Sequence, residues 1–111
     1  MKIAFALDHD RIALNFGACN HYRLVTLENQ KILDEKDLYD EVNTHKLRPA
    51  FLRSLGVDTV VINGMGVTAY ELCMDEGLAC FEAQGLSYDE ALNAALNNQL
   101  KALACPKGPH C

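Results

Sequence analysis

Residues Val57–Gly77 read VDTVVINGMGVTAYELCMDEG, and this stretch decides the fold class. It opens with an apolar run through Ile62 that is rich in β-branched residues, as expected of a central strand covered by helices on both faces. The sequence Gly64-Met65-Gly66 follows, and after it comes a segment with apolar residues at helical spacing. A strand, a glycine loop and a helix in this order predict an α/β fold whose loop faces a ligand.

The loop Gly64-Met65-Gly66 has two interpretations. Glycines permit backbone conformations that a Cβ hinders, and the first N–H groups and positive dipole end of the following helix point to this loop. The loop therefore fits an anion- or nucleotide-binding regulatory module, although a simple tight turn explains the same glycines. The phosphate-binding pattern G-x-x-x-x-G-K-[ST] does not occur in the chain.

Length and composition indicate one domain with a single core. The chain has 111 residues, half of them hydrophobic, and a formal net charge of −5. Because Lys and Arg occur as scattered single residues, a nucleic-acid-binding surface is not expected. No segment approaches the roughly 18 apolar residues of a membrane span, and the first residues, MKIAFALD, lack the features of a signal peptide. We therefore expect a cytoplasmic protein without membrane or nucleic-acid partners.

The five cysteines predict free thiols rather than a disulfide framework. Their number is odd, whereas a complete set of disulfides needs an even one. Free thiols fit a reducing compartment. Cys73 falls at a core position of a predicted helix and Cys80 within a predicted strand, so both are expected to be structural.

Periodicity and turn signals predict five strands and three helices. The second and third strands form a hairpin, and right-handed crossovers make the third, fourth and fifth strands parallel. Pro49 marks the first helix, which Gly56 closes, and Gly77 ends the second. Ser87 and Glu90 form a capping box that opens a long third helix. The predicted strands are 2–7, 21–27, 31–39, 57–62 and 78–82, and the predicted helices are 46–55, 67–76 and 88–103.

One edge of this mixed sheet gathers three loops. If the second strand pairs between the first and the third, the carboxyl ends of strands one, three and four share an edge with the start of strand two. The loops brought together there are Asp8–Cys19, Asp40–Lys46 and Gly64–Gly66. Ligands of open α/β sheets bind at such an edge, so we expect the functional residues there.

The order and spacing of these elements resemble the dinitrogenase iron-molybdenum cofactor biosynthesis family, the small domain shared by NifX, NafY and the carboxyl-terminal part of NifB. The resemblance covers nearly the whole chain. It includes MKIAFALD as first strand, NFGACNHYRLVTLENQKI as loop and hairpin, and LGVDTVVINGMGVTAYELCMDEG as strand, glycine loop and helix. It implies a three-layer α/β/α fold with a ribonuclease H-like motif and a mixed five-stranded sheet of order 3-2-1-4-5, with strand 2 antiparallel.

The resemblance also implies a function in metallocofactor assembly. Better-known members bind iron-sulfur cofactor precursors and deliver them during nitrogenase assembly. This implies a non-catalytic carrier of an iron-sulfur cluster or iron-molybdenum cofactor precursor, with donor and acceptor proteins as partners. Many members have His-Phe-Gly where this chain has Asn15-Phe16-Gly17. Cys19 and His21 lie close enough in sequence to substitute, and His45 falls where many members have a histidine before the first helix.

Cys19 and His45 are the first candidate ligands, with the Gly64–Gly66 loop on the same edge. Iron-sulfur species are held by thiolates, with imidazole as an occasional substitute, and a carrier needs few ligands so that its cargo can leave. His21 is a further candidate metal ligand. Each residue also has a structural explanation: Cys19 as a small buried hydrophobe, His45 as a hydrogen-bonding residue at a helix end, and His21 as a solvated imidazole on an outward strand face.

Residues 105–111, CPKGPHC, form a tail that differs in composition from the predicted domain of residues 1–104. The tail holds three soft-metal donors, Cys105, His110 and Cys111. Two prolines and a glycine bar a helix and leave these donors free to converge on a single soft transition metal. A disordered terminus is the alternative. Because the last helix should run antiparallel to the fifth strand, we expect the tail at the opposite edge from the glycine loop.

An enzyme is the less favoured interpretation. Asp8 and Asp10, near the end of the first strand, resemble the carboxylates with which ribonuclease H-like nucleases hold two metal ions. Such a site needs further converging carboxylates and a basic groove, and neither Asp58 nor Glu71 is obviously placed to help. A thiol nucleophile at Cys19 would need His45 beside it as a base, and only the predicted common edge suggests that these two residues are close. We therefore expect a binding protein rather than an enzyme.

Overall fold

The computed structural model describes residues 1–16, 19–41, 46–83 and 85–103, which form a mixed β-sheet with helices on both faces. The strands are β1 (Lys2–Asp8), β2 (Arg11–Ile12), β3 (His21–Glu28), β4 (Lys31–Tyr39), β5 (Thr59–Ile62), β6 (Ala79–Glu82) and β7 (Lys101–Ala102). The helices are α1 (Arg48–Ser54), α2 (Val67–Asp75) and α3 (Tyr88–Leu96). The five predicted strands and the starts of the three predicted helices agree with the structure to within about two residues.

The sheet has the predicted mixed topology. Its strand order is β4-β3-β1-β5-β6-β7, with the short β2 paired to β1. β1, β5 and β6 are parallel, whereas β3 is antiparallel to β1 and β4 is antiparallel to β3. The segment β4-β3-β1-β5-β6 is the predicted 3-2-1-4-5 sheet with strand 2 antiparallel, so that prediction is confirmed. β2 and β7 escaped prediction because strands of two residues carry no periodicity.

Alternation along β1 divides the core into two layers. Ala4 and Ala6 face the layer that contains α1 and α2, and the larger Ile3, Phe5 and Leu7 face the layer that contains α3. All five are at most 3 % exposed, because β1 is a central strand covered on both sides. Burial of each large side chain contributes roughly 1.5–3 kcal/mol. The three-layer α/β/α architecture follows from these two apolar faces.

The glycines that follow α1 and α2 and the capping box that begins α3 agree with the prediction. Gly56 and Gly77 follow α1 and α2 with φ of +87° and +75°, a left-handed conformation that glycine adopts without strain. Ser87 caps α3 because its Oγ accepts from the Glu90 N–H at 3.2 Å. The Glu90 carboxylate in turn accepts from the Ser87 N–H at 3.0 Å, so the predicted capping box is confirmed.

The last helix is shorter than predicted. It ends at Leu96 rather than near Leu103, and Asn98 adopts a left-handed conformation with φ of +54°. The run Asn97-Asn98-Gln99 explains this end, since asparagine tolerates left-handed backbone and is a poor helix former. Leu100 then packs with the α3 layer of the core, whereas Leu103 packs with the α1 and α2 layer. Their helix-like spacing therefore reflects contacts with two separate layers.

The chain turns back after α3 and runs along β6. β7 pairs antiparallel with the end of β6, and the Leu103 N–H donates to the Cys80 carbonyl at 3.0 Å. The described chain therefore leaves the sheet while running away from the edge where β6 ends. Among the described residues, no helix is long and apolar enough to cross a membrane.

Candidate functional site

The parallel strands β1, β5 and β6 end at one edge of the sheet, which we call the carboxyl edge. Cys19 lies at this edge because β3 begins there with His21, and the Gly64-Met65-Gly66 loop lies there because it follows β5. The end of β4 adds Asp40, whose N–H donates to the Asn20 carbonyl at 2.8 Å. The structure thus brings Cys19 and the glycine loop to a common edge, as predicted from the topology.

Cys19 has a buried side chain with a free thiol. It is 6 % exposed, and its Sγ lies 3.2 Å from the His21 carbonyl oxygen and 3.6 Å from that of Leu7. Burial raises the pKa of the thiol, because apolar surroundings disfavour the thiolate. Cys19 therefore keeps its proton at neutral pH and must release it when it binds a metal.

A cleft of about 250 Å³ opens beside Cys19. Clefts that enclose drug-sized ligands measure roughly 300–1,000 Å³, so this one suits a compact group. Leu14, one of its lining residues, is 79 % exposed and leaves apolar surface next to the cleft. The lining residues are Leu7, Asp8, Ala13, Leu14, Asn15, Cys19 and Asn20.

The loop of residues 13–16 joins the Cys19 cleft to the glycine loop. The Phe16 N–H donates to the Gly64 carbonyl at 3.2 Å, and the Asn63 N–H donates to the Ala13 carbonyl at 3.1 Å. The Asn63 Nδ2 also donates to the Ile12 carbonyl at 3.3 Å. These bonds hold the two loops together, so the cleft and the glycine loop form adjoining parts of one surface.

The backbone conformation of the glycine loop does not require glycine, contrary to the prediction. Neither Gly64 nor Gly66 has a positive φ, and Gly66, the N-cap of α2, has φ −72° and ψ 167°, which any residue can adopt. A Cβ on Gly66 meets nothing within 4 Å, and one on Gly64 lies 3.5 Å from the Leu14 carbonyl oxygen, an ordinary contact. The expectation that these glycines serve the backbone conformation is wrong. What Gly66 provides is unfilled space in front of α2.

His21 faces the opposite side of the sheet from the Cys19 thiol. Its ring stacks on Tyr39 with centroids 4.3 Å apart, and its Nε2 lies 2.8 Å from Asp37 Oδ1. The same carboxylate binds Arg23, whose guanidinium packs over a ring of α3. Cys19 Sγ meets the backbone carbonyl of His21, not its imidazole. The structure does not bring these two candidate ligands together, because the His21 ring lies against Tyr39 and Asp37 on the other side of the sheet.

Sequence reasoning missed a buried ion pair behind Cys19. Arg48 Nε lies 3.2 Å from Asp40 Oδ2, and both residues are 4 % exposed. Arg48 Nη1 also donates to the Cys19 carbonyl and, at 3.3 Å, to the Tyr22 hydroxyl. The available sequence signal was weak: an Asp directly after a strand and an Arg directly before Pro49, positions at which charged side chains are usually solvated.

Four predicted ligands lie outside the described residues, namely His45, Cys105, His110 and Cys111, and so does the predicted domain boundary at residues 104 and 105. Within the ranges that the structure describes, no group of three or more His, Cys, Asp and Glu side chains is arranged to hold a metal ion. Cys73 and Cys80 are 0 % and 7 % exposed in the core, as expected of structural cysteines. Cys19 is therefore the cysteine that the described structure offers to a ligand at the carboxyl edge.

The carboxylates considered for a nuclease do not converge. The Asp8 side chain is 72 % exposed, and its Oδ1 lies 2.9 Å from the ring of His9. Asp58 lies at the opposite edge, where its Oδ2 accepts from the Lys2 N–H at 3.1 Å. The geometry of these residues does not support a two-metal carboxylate site.

A larger cavity of about 400 Å³ lies at the opposite edge of the sheet. It is lined by apolar, amide and carboxylate side chains and by the thioether of Met1, and none of its lining residues is a cysteine or histidine. The larger volume of this cavity therefore does not make it the candidate site, because the Cys19 thiol lies at the carboxyl edge. The lining residues of the larger cavity are Met1, Leu27, Glu28, Asn29, Gln30, Ala95, Leu96 and Asn98.

Known proteins share this fold and part of this sequence. An uncharacterized protein of Methanocaldococcus jannaschii is 24 % identical over 107 residues, which cover 91 % of this chain and 90 % of that protein. The crystal structure of PH0822 matches with a TM-score of 0.81 at 20 % identity, over 92 % of this chain and 94 % of that one. The apo form of the orange protein from Desulfovibrio gigas matches with a TM-score of 0.77 at 15 % identity, over 95 % and 94 %. At these identities the solved structures show a shared fold.

A family model described as dinitrogenase iron-molybdenum cofactor matches residues 1–98. The match runs from β1 to the end of α3 and includes Cys19, the glycine loop and the Asp40–Arg48 connection. The chain therefore belongs to the dinitrogenase iron-molybdenum cofactor family.

Proposed function

We propose that this protein is a non-catalytic carrier that binds an iron-sulfur cluster or an iron-molybdenum cofactor precursor at the carboxyl edge. The observation that carries the proposal is the free thiol of Cys19 in the wall of a cleft on that edge. Family membership links the chain to the biosynthesis of the iron-molybdenum cofactor. Thiolate is the ligand with which proteins hold iron-sulfur clusters, so the residue type agrees with the family's cargo.

A carrier needs weaker attachment than a permanent cluster site. Permanent sites use about four protein ligands, whereas the described residues contribute Cys19 to the cleft. We propose His45 as a second ligand, because it precedes α1 on the connection that leaves the carboxyl edge at Asp40. With so few protein bonds, the cargo can be passed from a donor protein to an acceptor protein, while the chain positions and shields it.

The test is an anaerobic titration of the full-length apo-protein with a reconstituted iron-sulfur cluster, followed by visible absorption and bound iron. Cys19→Ala should weaken binding more than about tenfold. Cys80→Ala is the matched control, because Cys80 is 7 % exposed and Cys19 is 6 % exposed, yet Cys80 lies away from the cleft. Equal binding by the two variants contradicts Cys19 as a ligand.

Two further comparisons locate the remaining ligands. His45→Ala should weaken cluster binding, whereas His9→Ala, at an exposed histidine paired with Asp8, should not. For the tail we propose a separate site for a single soft metal, with Cys105, His110 and Cys111 as donors. Loss of cluster binding in Cys105→Ser/Cys111→Ser alone, with Cys19→Ala unaffected, moves the cargo site to the tail.

The second candidate function is an anion- or nucleotide-binding module at the glycine loop. It is favoured by the start of α2, where the described structure has neither a side-chain cap nor an acidic residue in the first turn, and by the open space at Gly66. Such a module does not need the thiol. Binding of inorganic phosphate or ATP by wild type and Cys19→Ala alike, together with no cluster binding by either, would favour this function over the carrier.

A further inference from the structure

A groove lies at the opposite edge of the sheet, on the face that α3 covers. It consists of the larger cavity described above and a second pocket of about 210 Å³. The two share Met1, Ala95 and Asn98, so they are adjoining parts of one surface, which we call the opposite-edge groove. The residues that line the second pocket are Met1, Ile3, Thr59, Phe81, Ala95, Asn98 and Leu100.

The groove exists because α3 covers only part of its face of the sheet. The nine residues of α3 extend about 14 Å, whereas the seven residues of β1 extend about 23 Å. Phe81, Ala95 and Leu100 pack with the α3 layer but are only half-buried. Among the residues that the structure describes, the apolar layer around α3 is therefore incomplete at this edge.

The described chain ends beside the second pocket. β7 runs antiparallel to β6, and the Leu103 N–H donates to the Cys80 carbonyl at 3.0 Å. Cys80 is the neighbour of Phe81, which lines the pocket, and it follows Ala79, where β6 begins at the opposite edge. A chain that continues past Leu103 in the same direction reaches the groove within about two residues.

The segment after Leu103 is long enough to follow the groove. It comprises the eight residues 104–111, with the sequence ACPKGPHC. From β7 to β1 the sheet spans three strand spacings, roughly 14 Å. Eight extended residues span about 26–29 Å, so the segment can cross the second pocket from Phe81 to Met1.

The composition of residues 104–111 suits a groove with an apolar floor. Pro106 and Pro109 favour the extended polyproline II conformation, which forms no hydrogen bonds within the segment. Proline-rich segments in this conformation bind grooves that contain aromatic side chains, and Phe81 provides one here. The exposed amide of Asn98, which lines both parts of the groove, can hydrogen-bond the backbone of such a segment. The segment contains no Asp or Glu, so docking it buries no carboxylate side chain.

We propose that residues 104–111 dock in the opposite-edge groove of the same chain and cover the half-buried apolar side chains beside α3. Docking there places Cys105, His110 and Cys111 at the edge opposite to Cys19. These soft donors are then kept away from the Cys19 cleft and do not compete with Cys19 for its ligand. The docking needs no cargo, so it does not depend on the carrier function.

The test is NMR spectroscopy of the full-length, reduced protein without added metal. Docking predicts nuclear Overhauser cross-peaks between protons of residues 104–111 and the methyl groups of Leu100. Ala95→Arg places a long, charged side chain in the groove and should abolish these cross-peaks. Ala94→Arg is the matched control, because it makes the same substitution at the adjacent α3 residue, which does not line the groove. The control should retain the cross-peaks.

A second variant leaves the described part of the chain unchanged. Pro106→Gly/Pro109→Gly removes the conformational preference and the apolar rings of the segment, and it should also abolish the cross-peaks. It replaces Ala95→Arg if that protein does not fold.

Absence of the cross-peaks in wild type, or their persistence in Pro106→Gly/Pro109→Gly, overturns the inference. Cross-peaks that disappear when the wild-type protein is diluted would show that the segment of a second copy fills the groove, which also contradicts docking within one chain. Because no cluster is added, the result is separate from the outcome of the cluster titration.

Discussion

Arg48 Nε lies 3.2 Å from Asp40 Oδ2, and the two side chains are 5 % and 3 % exposed. The pair joins the first residue of α1 to the residue that follows β4. Because Arg48 also donates to the Cys19 carbonyl, the same guanidinium supports both the packing of α1 and the backbone of the candidate ligand. Stability and cargo binding are therefore expected to depend on this ion pair together.

Asp40→Ala should destabilise the protein strongly, because it leaves the Arg48 guanidinium buried without its counter-ion. We expect the free energy of unfolding to fall by about 3–5 kcal/mol. Asp37→Asn is the control, since Asp37 is 41 % exposed and also bonds an arginine, and its loss should cost about 1 kcal/mol or less. Urea unfolding of both variants measures the difference. Equal midpoints for the two variants would show that burial of the Asp40 pair does not matter.

Cluster binding should strengthen as the pH rises. Burial keeps the pKa of the Cys19 thiol above its ordinary value of 9.0, so the thiol must release its proton to bind a metal. One proton released per bound cluster lowers Kd about tenfold for each pH unit below that pKa. The cluster titration should be carried out between about pH 7.5 and 9, because histidines of ordinary pKa are already neutral in this range. A wild-type Kd that does not change over this range argues against Cys19 as the ligand.

Asp37 should stabilise the protein at neutral pH, and this stabilisation should be lost in acid. Its pKa is lowered, first by the hydrogen bond with His21 and then by Arg23, so the folded state favours the carboxylate. A lowered folded-state pKa contributes stability above the unfolded value, near the ordinary 3.8, and this contribution is lost as the pH falls through the folded value. Because the side chain is 41 % exposed, we expect only about 0.5–1 kcal/mol.

Urea unfolding of wild type and Asp37→Asn at two pH values measures this contribution. The variant should be less stable than wild type at about pH 7, and the difference should shrink as the pH falls through the lowered folded-state pKa of Asp37 and the wild-type carboxyl also becomes protonated. An undiminished difference in acid would assign the effect to packing of the side chain rather than to its charge.

Much of the fold could be predicted because apolar residues recur at regular spacing within its strands and helices, and because turn residues and glycines mark where these elements end. β4 was predicted with its observed ends, residues 31–39, since Glu28-Asn29-Gln30 marks the turn before it and polar residues follow it. The left-handed Gly56 and Gly77 were found because glycine is the usual residue in that conformation. The end of α3 was predicted wrongly, because Leu100 and Leu103 continue the apolar spacing of the helix but pack against different layers of the core.

The site was harder to predict because it depends on the direction of side chains rather than on the order of elements. His21 lies two residues from Cys19, but Cys19 precedes β3, and alternation within β3 places the His21 imidazole on the face opposite to Tyr22, which packs in the same core layer as Cys19. The Asp40–Arg48 pair was missed because buried charges contradict the usual exposure of both residue types. Only contacts between separate segments explain why these charges are buried, and a single sequence does not report such contacts.

Gly66 allows the glycine loop to be tested without disturbing the fold. Its backbone, with φ −72° and ψ 167°, is the conformation of an ordinary N-cap, and a Cβ there meets nothing within 4 Å. Asn and Asp are both strong N-cap residues of the same size. Gly66→Asn and Gly66→Asp should therefore fold normally, with unfolding free energies equal to wild type or a few tenths of a kcal/mol higher.

These two variants differ in charge and should differ in binding. If the cargo contacts the start of α2, the carboxylate introduced by Gly66→Asp repels an anionic cluster or phosphate, whereas the neutral amide introduced by Gly66→Asn does not. We expect Gly66→Asp to bind about fivefold more weakly than Gly66→Asn, which corresponds to about 1 kcal/mol for a charge at a helix N-terminus. Titration of both variants with the reconstituted cluster and with inorganic phosphate identifies which ligand lies there. If Gly66→Asn and Gly66→Asp bind the cluster with the same affinity, and also bind phosphate with the same affinity, the glycine loop is not part of the binding surface and the cargo is confined to the Cys19 cleft.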